Sequence, residues 1–250
     1  MAQQLGSPIA AGKEAELFLF GTGVLKLTRR PGDRGPAERE AANLAAVAPL
    51  GLAPAPGSIV EIDGRWGLVM ERIAAPTLGA ALADPAAWPG LVAEMVALHR
   101  RLHAASGAGL PPLKPRLAGR LAGAPGLAPH QREALAARLA ALPEGDGICH
   151  GDFHPLNILG RGAAARVVDW LDATQGAPAA DVCRTYVLAH AVAPALAGLY
   201  ASAYAAASGL AAADIFAWLP VVAAARLTEN VPAERPALHA MALGGAAGSG

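Results

Sequence analysis

The sequence predicts an α+β protein in which a small β-rich half precedes a larger helical half. Three observations carry this. The first seventy or so residues hold short β-type runs separated by hairpin-forming turns. Beyond Ile73, apolar residues recur at helical spacing. The pattern changes near Glu71–Ala75, which divides the chain into domains 1–73 and 74–250.

In the first half, Glu16–Phe20 is a β-type run and Gly21-Thr22-Gly23 a tight turn. Val24–Thr28 is the returning strand, and 29–36 is a polar loop. A helix is expected from Ala37, with Leu44 and Val47 on one face. The Gly/Pro-broken stretch 49–56 connects it to two strands, Ser58–Asp63 and Arg65–Glu71. They meet at Asp63-Gly64, a dipeptide that tolerates the positive φ angles of a two-residue hairpin.

In the second half, Thr77 is expected to cap a short helix. Residues 86–105 form a long helical stretch starting near Pro89, with Leu91, Met95, Leu98 and Leu102 in register. Residues 106–128 read as loop with a short helix, 129–142 as another helix, and 148–169 as loop and strand. From Asp181 onward the chain reads as helical, broken at Pro194, Gly209 and Pro232. The tail Gly244–Gly250 reads as small and flexible.

Composition narrows the function classes. Acids and bases balance at 20 each over 250 residues, so the chain lacks the electrostatic footprint of a nucleic-acid binder. Two cysteines, Cys149 and Cys183, are too few for a disulfide framework and fit a reduced, cytoplasmic setting. The first eight residues show no basic segment followed by an apolar run, so no signal peptide is expected. The most membrane-like stretch, 186–219, is apolar mainly through alanine. It contains His190, Pro194, Ser202, Ser208 and Asp214, and buried helices are expected there rather than a membrane span.

The informative stretch is His150-Gly151-Asp152-Phe153-His154-Pro155-Leu156-Asn157-Ile158-Leu159, followed by Val167-Val168-Asp169-Trp170. An asparagine follows Asp152 by five residues, and a second aspartate lies twelve residues beyond it. A hairpin from Asn157-Ile158-Leu159, the Gly160–Gly162 turn and Arg166-Val167-Val168 would bring Asn157 and Asp169 together at the mouth of one cleft. Phosphoryl transfer needs such a set: a carboxylate beside the attacking hydroxyl, and hard oxygen ligands that hold Mg²⁺ against nucleotide phosphates. The bland alternative makes His150 and Asp152 turn-capping residues and lets Asp169 merely end a strand.

His-Gly-Asp at this spacing, with the later Asp-Trp, resembles the aminoglycoside phosphotransferase and choline kinase family. The resemblance implies a two-lobed protein-kinase-like fold. A small antiparallel five-stranded sheet with one helix would cover ATP, and a larger, mainly helical lobe would bind the acceptor. It further implies ATP and Mg²⁺ as cofactors, Asp152 as catalytic base, and Asn157 and Asp169 as Mg²⁺ ligands. His150 is expected to brace the loop. His154 is either a loop-packing or a pocket residue. Asp181, in Gly176-Ala177-Pro178-Ala179-Ala180-Asp181, matches a family aspartate that opens a helix and ties down the catalytic loop. An ordinary N-cap is its other reading. Asp172 faces either acceptor or solvent.

The same resemblance requires a nucleotide site in the first half. Lys26, the one lysine inside a predicted strand there, is expected to reach the phosphates. Glu38 and Glu40 compete as its partner and point to different helix faces. Glu40 shares the apolar face of Leu44 and Val47 and falls on the family pattern Arg-Glu-x-x-x-Leu, so Glu40 is chosen. The phosphate-covering loop is expected at Ala11–Glu16, with Gly12 as its one glycine and Lys13 touching phosphate or water. Leu68–Ile73 resembles the linker whose backbone hydrogen-bonds adenine. That places Met70, Glu71 and Ile73 at the nucleotide, with Met70 lining the adenine pocket. His103 reads as a buried histidine bonded to the catalytic loop. A metal site from His99 and His103 lacks a third ligand nearby in sequence.

The expected activity is ATP-dependent transfer of the γ-phosphoryl group to a hydroxyl of a small molecule. The alternatives are a choline, sugar or amino-alcohol kinase of the same fold, and a catalytically silent nucleotide-binding regulator. A protein kinase is disfavoured, because no Asp-Phe-Gly or Ala-Pro-Glu landmark is present. A cationic acceptor wants a dense acidic wall, yet the C-terminal helices offer only Asp214, Glu229 and Glu234. Trp88, Tyr186, Tyr200, Tyr204 and Trp218 either cage a quaternary ammonium group or pack the core.

Overall fold

The computed structural model describes residues 5–244. Of the Gly244–Gly250 tail only Gly244 lies within them, and the first four residues of the stretch read for a leader lie outside. The chain forms two compact units. One comprises residues up to Leu78 together with Leu156–Asp172, and the other Gly79–Pro155 together with the chain from Ala173 on. A single cut near residue 73 therefore misses one feature: the 156–172 segment returns to the first unit.

The first unit is built on a five-stranded sheet: β1 (Ala10–Ala11), β2 (Ala15–Phe20), β3 (Gly23–Pro31), β4 (Pro56–Ile62) and β5 (Arg65–Met70), in the order β1-β2-β3-β5-β4. All pairings are antiparallel. Asp63 and Gly64 take φ of 51° and 72°, as their hairpin requires. Strand β3 runs to Pro31, further than the polar loop expected from Arg29. A register shift after Leu27 lets Pro31 pair with Arg65, whose Nε donates to the Thr28 carbonyl at 2.7 Å.

Side chains alternate across a strand. Leu25 and Leu27 pack with Phe18 into an apolar cluster joined by Val60, Ile62 and Val69. Lys26, between them, must point to the opposite face, where helix α1 (Gly35–Val47) buries Glu40, Asn43, Leu44 and Val47. Gly67 is cross-strand to Leu27. A Cβ there would come within 2.8 Å of the Lys26 carbonyl and 3.1 Å of the Leu27 Cα. Gly67→Ala should therefore push β5 away from the strand that carries Lys26. We expect a loss of about 1–3 kcal/mol in chemical denaturation; unchanged stability would show that the sheet yields freely.

The 156–172 segment is a short hairpin, β7 (Ile158–Leu159) with β8 (Arg166–Val167). Backbone hydrogen bonds from Gly160 to Pro76 (2.9 Å) and from Val167 to Leu52 (2.7 Å) tie it to the first unit. Asn43, inside α1, donates to the Trp170 carbonyl at 2.8 Å. These bonds explain why the segment belongs there despite its place in the sequence.

The second unit is mainly helical: α2 (Trp88–His103), α3 (Leu113–Ala122), α4 (Pro129–Ala141), α5 (Pro178–Val192), α6 (Pro194–Ser208), α7 (Ala212–Phe216), α8 (Leu219–Arg226) and α9 (Arg235–Leu243). Two short strands, β6 (Gly147–Cys149) and β9 (Thr174–Gly176), pair antiparallel. The apolar stretch 186–219 is divided among α5, α6 and α7 at Pro194 and Gly209. Among the described residues no helix is long and apolar enough to cross a membrane. The short helix expected at Thr77 is a 3₁₀ helix, Leu78–Ala83, and Thr77 itself forms a bridge with Leu159. Cys149 and Cys183 are both free and buried.

Candidate functional site

In the first unit the chain brings three of the expected residues into contact. Lys26 Nζ lies 2.8 Å from Glu40 Oε2 and 2.6 Å from Asp169 Oδ1. Glu38 points away, exposed, and pairs with Arg34 at 2.9 Å. Glu40 is sealed in α1, and the Trp170 backbone N–H also reaches it. Burial works against the Lys26 ammonium, but the charges of Glu40 and Asp169 outweigh it and hold the group above the ordinary lysine range. Lys26 is thus a fixed cation between two carboxylates.

Asp169 sits just beyond β8 with a φ of 65°, a left-handed conformation uncommon outside glycine. The Val168 N–H donates to the Asn157 carbonyl at 2.9 Å. One further step of the β7–β8 ladder thus sets Asn157 and Asp169 at the same end of the hairpin. The Asp169 side chain keeps 42% of its surface exposed. Trp170 is buried, and its indole N–H donates to the Val167 carbonyl at 2.7 Å.

The other expected first-unit residues are placed as follows. Gly12 lies in the β1–β2 turn, its N–H bonded to the Ala15 carbonyl at 2.9 Å and its carbonyl to Arg29 Nε at 3.0 Å. Met70 ends β5 and is buried. Glu71 and Ile73 follow in irregular chain. The Glu71 backbone N–H donates to the Ala55 carbonyl at 2.9 Å, and its carboxylate accepts from the Ala55 N–H at 3.1 Å.

The second unit holds Asp152, on a loop fixed from below by Asp181. Asp181 Oδ2 accepts from the His150 N–H at 2.6 Å and Oδ1 from the Gly151 N–H at 2.9 Å. Gly151 has a φ of 79°, which accounts for glycine between His150 and Asp152. Its carbonyl accepts from Arg184 Nε at 3.0 Å, so both of its backbone groups are engaged. His150 is buried and accepts the Asp152 N–H on Nδ1 at 3.2 Å, which braces the loop. Asp181 is not an N-cap: α5 begins three residues earlier, at Pro178, and Asp181 lies inside it.

Beneath Asp181 lie two histidines and two tyrosines. His99 Nε2 is 2.9 Å and His103 Nε2 3.3 Å from Asp181 Oδ2. The Nδ1 of His99 meets the Tyr200 hydroxyl at 2.6 Å, and that of His103 the Tyr204 hydroxyl at 2.6 Å. An ionised Asp181 makes each Nε2 a donor, so each Nδ1 accepts from its tyrosine. Burial, and then the neighbouring His103 ring, push His99 down to about 3 despite the contact with Asp181. Burial would raise the Asp181 carboxyl, but its bonds and charge interactions with both histidines hold it well below the ordinary range. His103 therefore acts on the loop through Asp181 rather than directly. Asp181 also completes a His99–His103–Asp181 trio with metal-like spacing. Four N–H donors already occupy its two oxygens, and hydrogen bonding accounts for the arrangement without a metal.

Asp152 has close partners that the sequence left open or missed. His154 Nε2 lies 3.3 Å from its Oδ2, and Arg184 Nη2 3.8 Å from its Oδ1. Burial raises the Asp152 carboxyl, but His154, Arg184 and His150 outweigh it and hold the group well below the carboxylate range. Arg184 went unrecognised in the sequence. Its signal was a charged residue amid the apolar run Val182-Cys183-Arg184-Thr185-Tyr186, since an arginine on a buried helix face needs a specific partner.

The sheet-based first unit and the mainly helical second unit make this a protein-kinase-like fold. The chain belongs to the phosphotransferase enzyme family, whose model matches residues 6–219. Three solved structures share the fold. Choline kinase LicA from Streptococcus pneumoniae is 14% identical over 97% of this chain and 93% of its own, with a TM-score of 0.67. An aminoglycoside-3'-phosphotransferase of type VIII is 20% identical over 89% of this chain and 90% of its own, with a TM-score of 0.61. An aminoglycoside phosphotransferase from Streptomyces rimosus, in complex with ADP and streptomycin, is 18% identical over 86% of this chain and 91% of its own, with a TM-score of 0.59. No curated protein matches the chain in sequence.

Proposed function

We propose that the chain is an ATP- and Mg²⁺-dependent phosphotransferase that moves the γ-phosphoryl group to a hydroxyl of a small molecule. The observation that carries this is the Lys26 ammonium held between Glu40 and Asp169, 2.8 and 2.6 Å away. Family membership and the ADP-bound relative of the same fold support it. In this reading Lys26 positions the α and β phosphates, and Glu40 fixes Lys26. Gly12 approaches the phosphates, and Met70, Glu71 and Ile73 surround the base.

Asn157 and Asp169 suit a hard cation, because both offer oxygen donors at one hairpin end and the Asp169 carboxylate is accessible. Mg²⁺ held there would offset the negative charge of the nucleotide phosphates. Asp152 orients the acceptor hydroxyl. As the hydroxyl oxygen bonds to the γ-phosphorus and the β–γ bridging bond breaks, ADP leaves and the hydroxyl proton passes to the Asp152 carboxylate.

Asp169→Ala tests the nucleotide half. Calorimetric ATP affinity should fall on the order of 100-fold at millimolar Mg²⁺, and its dependence on Mg²⁺ should disappear. Retained Mg²⁺ dependence would remove Asp169 from the metal-holding role.

A further inference from the structure

One face of α5 holds the backbone of the Asp152 loop. Asp181, Arg184 and Thr185 stand three and four residues apart, so their side chains share that face. Asp181 accepts from the His150 and Gly151 N–H groups. Arg184 Nε donates to the Gly151 carbonyl at 3.0 Å, and the Thr185 hydroxyl donates to the Phe153 carbonyl at 3.0 Å. The peptide unit between Gly151 and Asp152 is therefore gripped on both sides, its carbonyl by Arg184 and its N–H by His150 Nδ1. Of the three α5 residues, Arg184 also approaches the Asp152 carboxylate. Its Nη2 stands 3.8 Å from Oδ1, which is ion-pair range but too long for a hydrogen bond.

The same Nη2 is held much closer by Glu229, at 2.6 Å from Oε1. Glu229 is itself fixed by Arg120 of α3 at 3.0 Å and by Arg226 of α8. Arg226 makes a two-pronged pair with Glu234, at 2.7 and 2.8 Å. A chain of alternating charge thus runs Glu234–Arg226–Glu229–Arg184–Asp152. Counting Arg120, three guanidinium groups face three carboxylates, so the network is neutral as a whole. Neutrality suits a holding device rather than a site that attracts an ion. Arg184 is buried, and a buried guanidinium needs partners of this kind.

We propose that Arg184 is a positioning residue for Asp152, and that Glu229 sets its distance from the carboxylate. The inference deepens the phosphotransferase reading and rests on it. A guanidinium is a rigid planar fork of donors. With Nε committed to the loop backbone and Nη2 to Glu229, both its plane and its place are set. Arg184 then fixes the peptide that carries Asp152, and its charge favours the ionised carboxylate. Glu229 supplies the restraint. Without that anchor Arg184 could close the gap, and a direct charge-assisted bond would tie up a carboxylate that must meet the acceptor hydroxyl.

The test uses the intact chain in two measurements: hydrolysis of ATP in Mg²⁺, with water standing in for the acceptor hydroxyl, and site-resolved hydrogen exchange without nucleotide. Arg184→Gln should lower kcat on the order of 10–100-fold while the calorimetric ATP Kd stays within about twofold. Arg184→Lys should recover little, because one ammonium cannot span the Gly151 carbonyl and Glu229 as the fork does. Glu229→Gln keeps Arg184 and removes only its anchoring charge. It should lower kcat about threefold or more at unchanged ATP affinity, and it carries the test where the Arg184 variants fold poorly. Exchange at the Asp152 amide should accelerate about tenfold or more in Arg184→Gln, while amides in α2 keep their wild-type rates. Unchanged kcat in Arg184→Gln or in Glu229→Gln, or full recovery by lysine, overturns the inference. So does an acceleration spread evenly over the second unit, which marks a role in stability alone. ATP hydrolysis that is absent in the wild type, or indifferent to Asp152→Asn, ends the phosphotransferase reading instead, and the exchange pattern then decides by itself whether Arg184 fixes the loop.

Discussion

Asp152→Asn should lower kcat about 10³-fold or more while leaving ATP affinity within about twofold. The change is nearly isosteric, and the side chain keeps 28% of its surface exposed, so the fold should tolerate it. What disappears is the negative charge that, in the proposed mechanism, orients the acceptor hydroxyl and takes its proton. His154 and Arg184 would remain in place, so positioning of the loop is not the variable being changed. A pH profile gives the same role a second reading. The Asp152 carboxyl is held well below the ordinary range, so it is ionised throughout the physiological interval. Its acid limb in kcat should therefore lie below the usual carboxylate pKa of about 4. Wild-type turnover in the variant would remove Asp152 from the reaction, and an acid limb near pH 6 would point to a different base.

The parts of this architecture that were legible in the sequence are those fixed by local chemistry. Asp63-Gly64 announced its hairpin because few other dipeptides accept two positive φ values. Glu40 could be separated from Glu38 because helical periodicity sends them to different faces. The His150–Asp169 motif was readable as a family resemblance because its residue types stand at fixed spacing, and the chain does match that family's model. The rest depended on contacts distant in sequence. Nothing local says that the 156–172 hairpin belongs with the first unit; the bonds from Asn43 to Trp170 and from Val167 to Leu52 decide it. Strand β9 is three residues long and is defined only by pairing with β6. The arginines around Glu229 come from α3, α5 and α8, which no spacing rule links. The third partner of His99 and His103 lay 78 residues beyond the second of them.

That third partner leads to the largest expected effect on stability. Asp181 accepts four hydrogen bonds in a site closed to water, two from the backbone of the Asp152 loop and two from histidines. Asp181→Ala leaves all four donors without their acceptor and should destabilise the protein by about 3–5 kcal/mol. For a chain of this size that corresponds to a fall in Tm of roughly 10 °C. Asp181→Asn keeps the volume but turns one oxygen into an N–H₂ donor facing donors, so it should rescue little. A merely space-filling role would let Asn restore stability, and that outcome would overturn the account. Hydrogen exchange at the His150 and Gly151 amides should accelerate in both variants, because their shared acceptor is gone. Acid should weaken the same network in the wild type. The folded His99 is held near 3 by burial, against about 6.5 in the unfolded chain. Between those values only the unfolded state takes up the proton, so stability falls as pH drops, by up to about 1.4 kcal/mol per unit. The depressed Asp181 adds in the same direction, with its contribution complete above about pH 4 and lost as pH falls through its folded value. Denaturation midpoints from pH 7 to pH 4 should therefore fall steadily, and His99→Gln should flatten the slope below pH 6.5 even if it lowers the starting stability. An unchanged slope in that variant would mean that another group takes up the proton and that His99 is not held neutral by its surroundings.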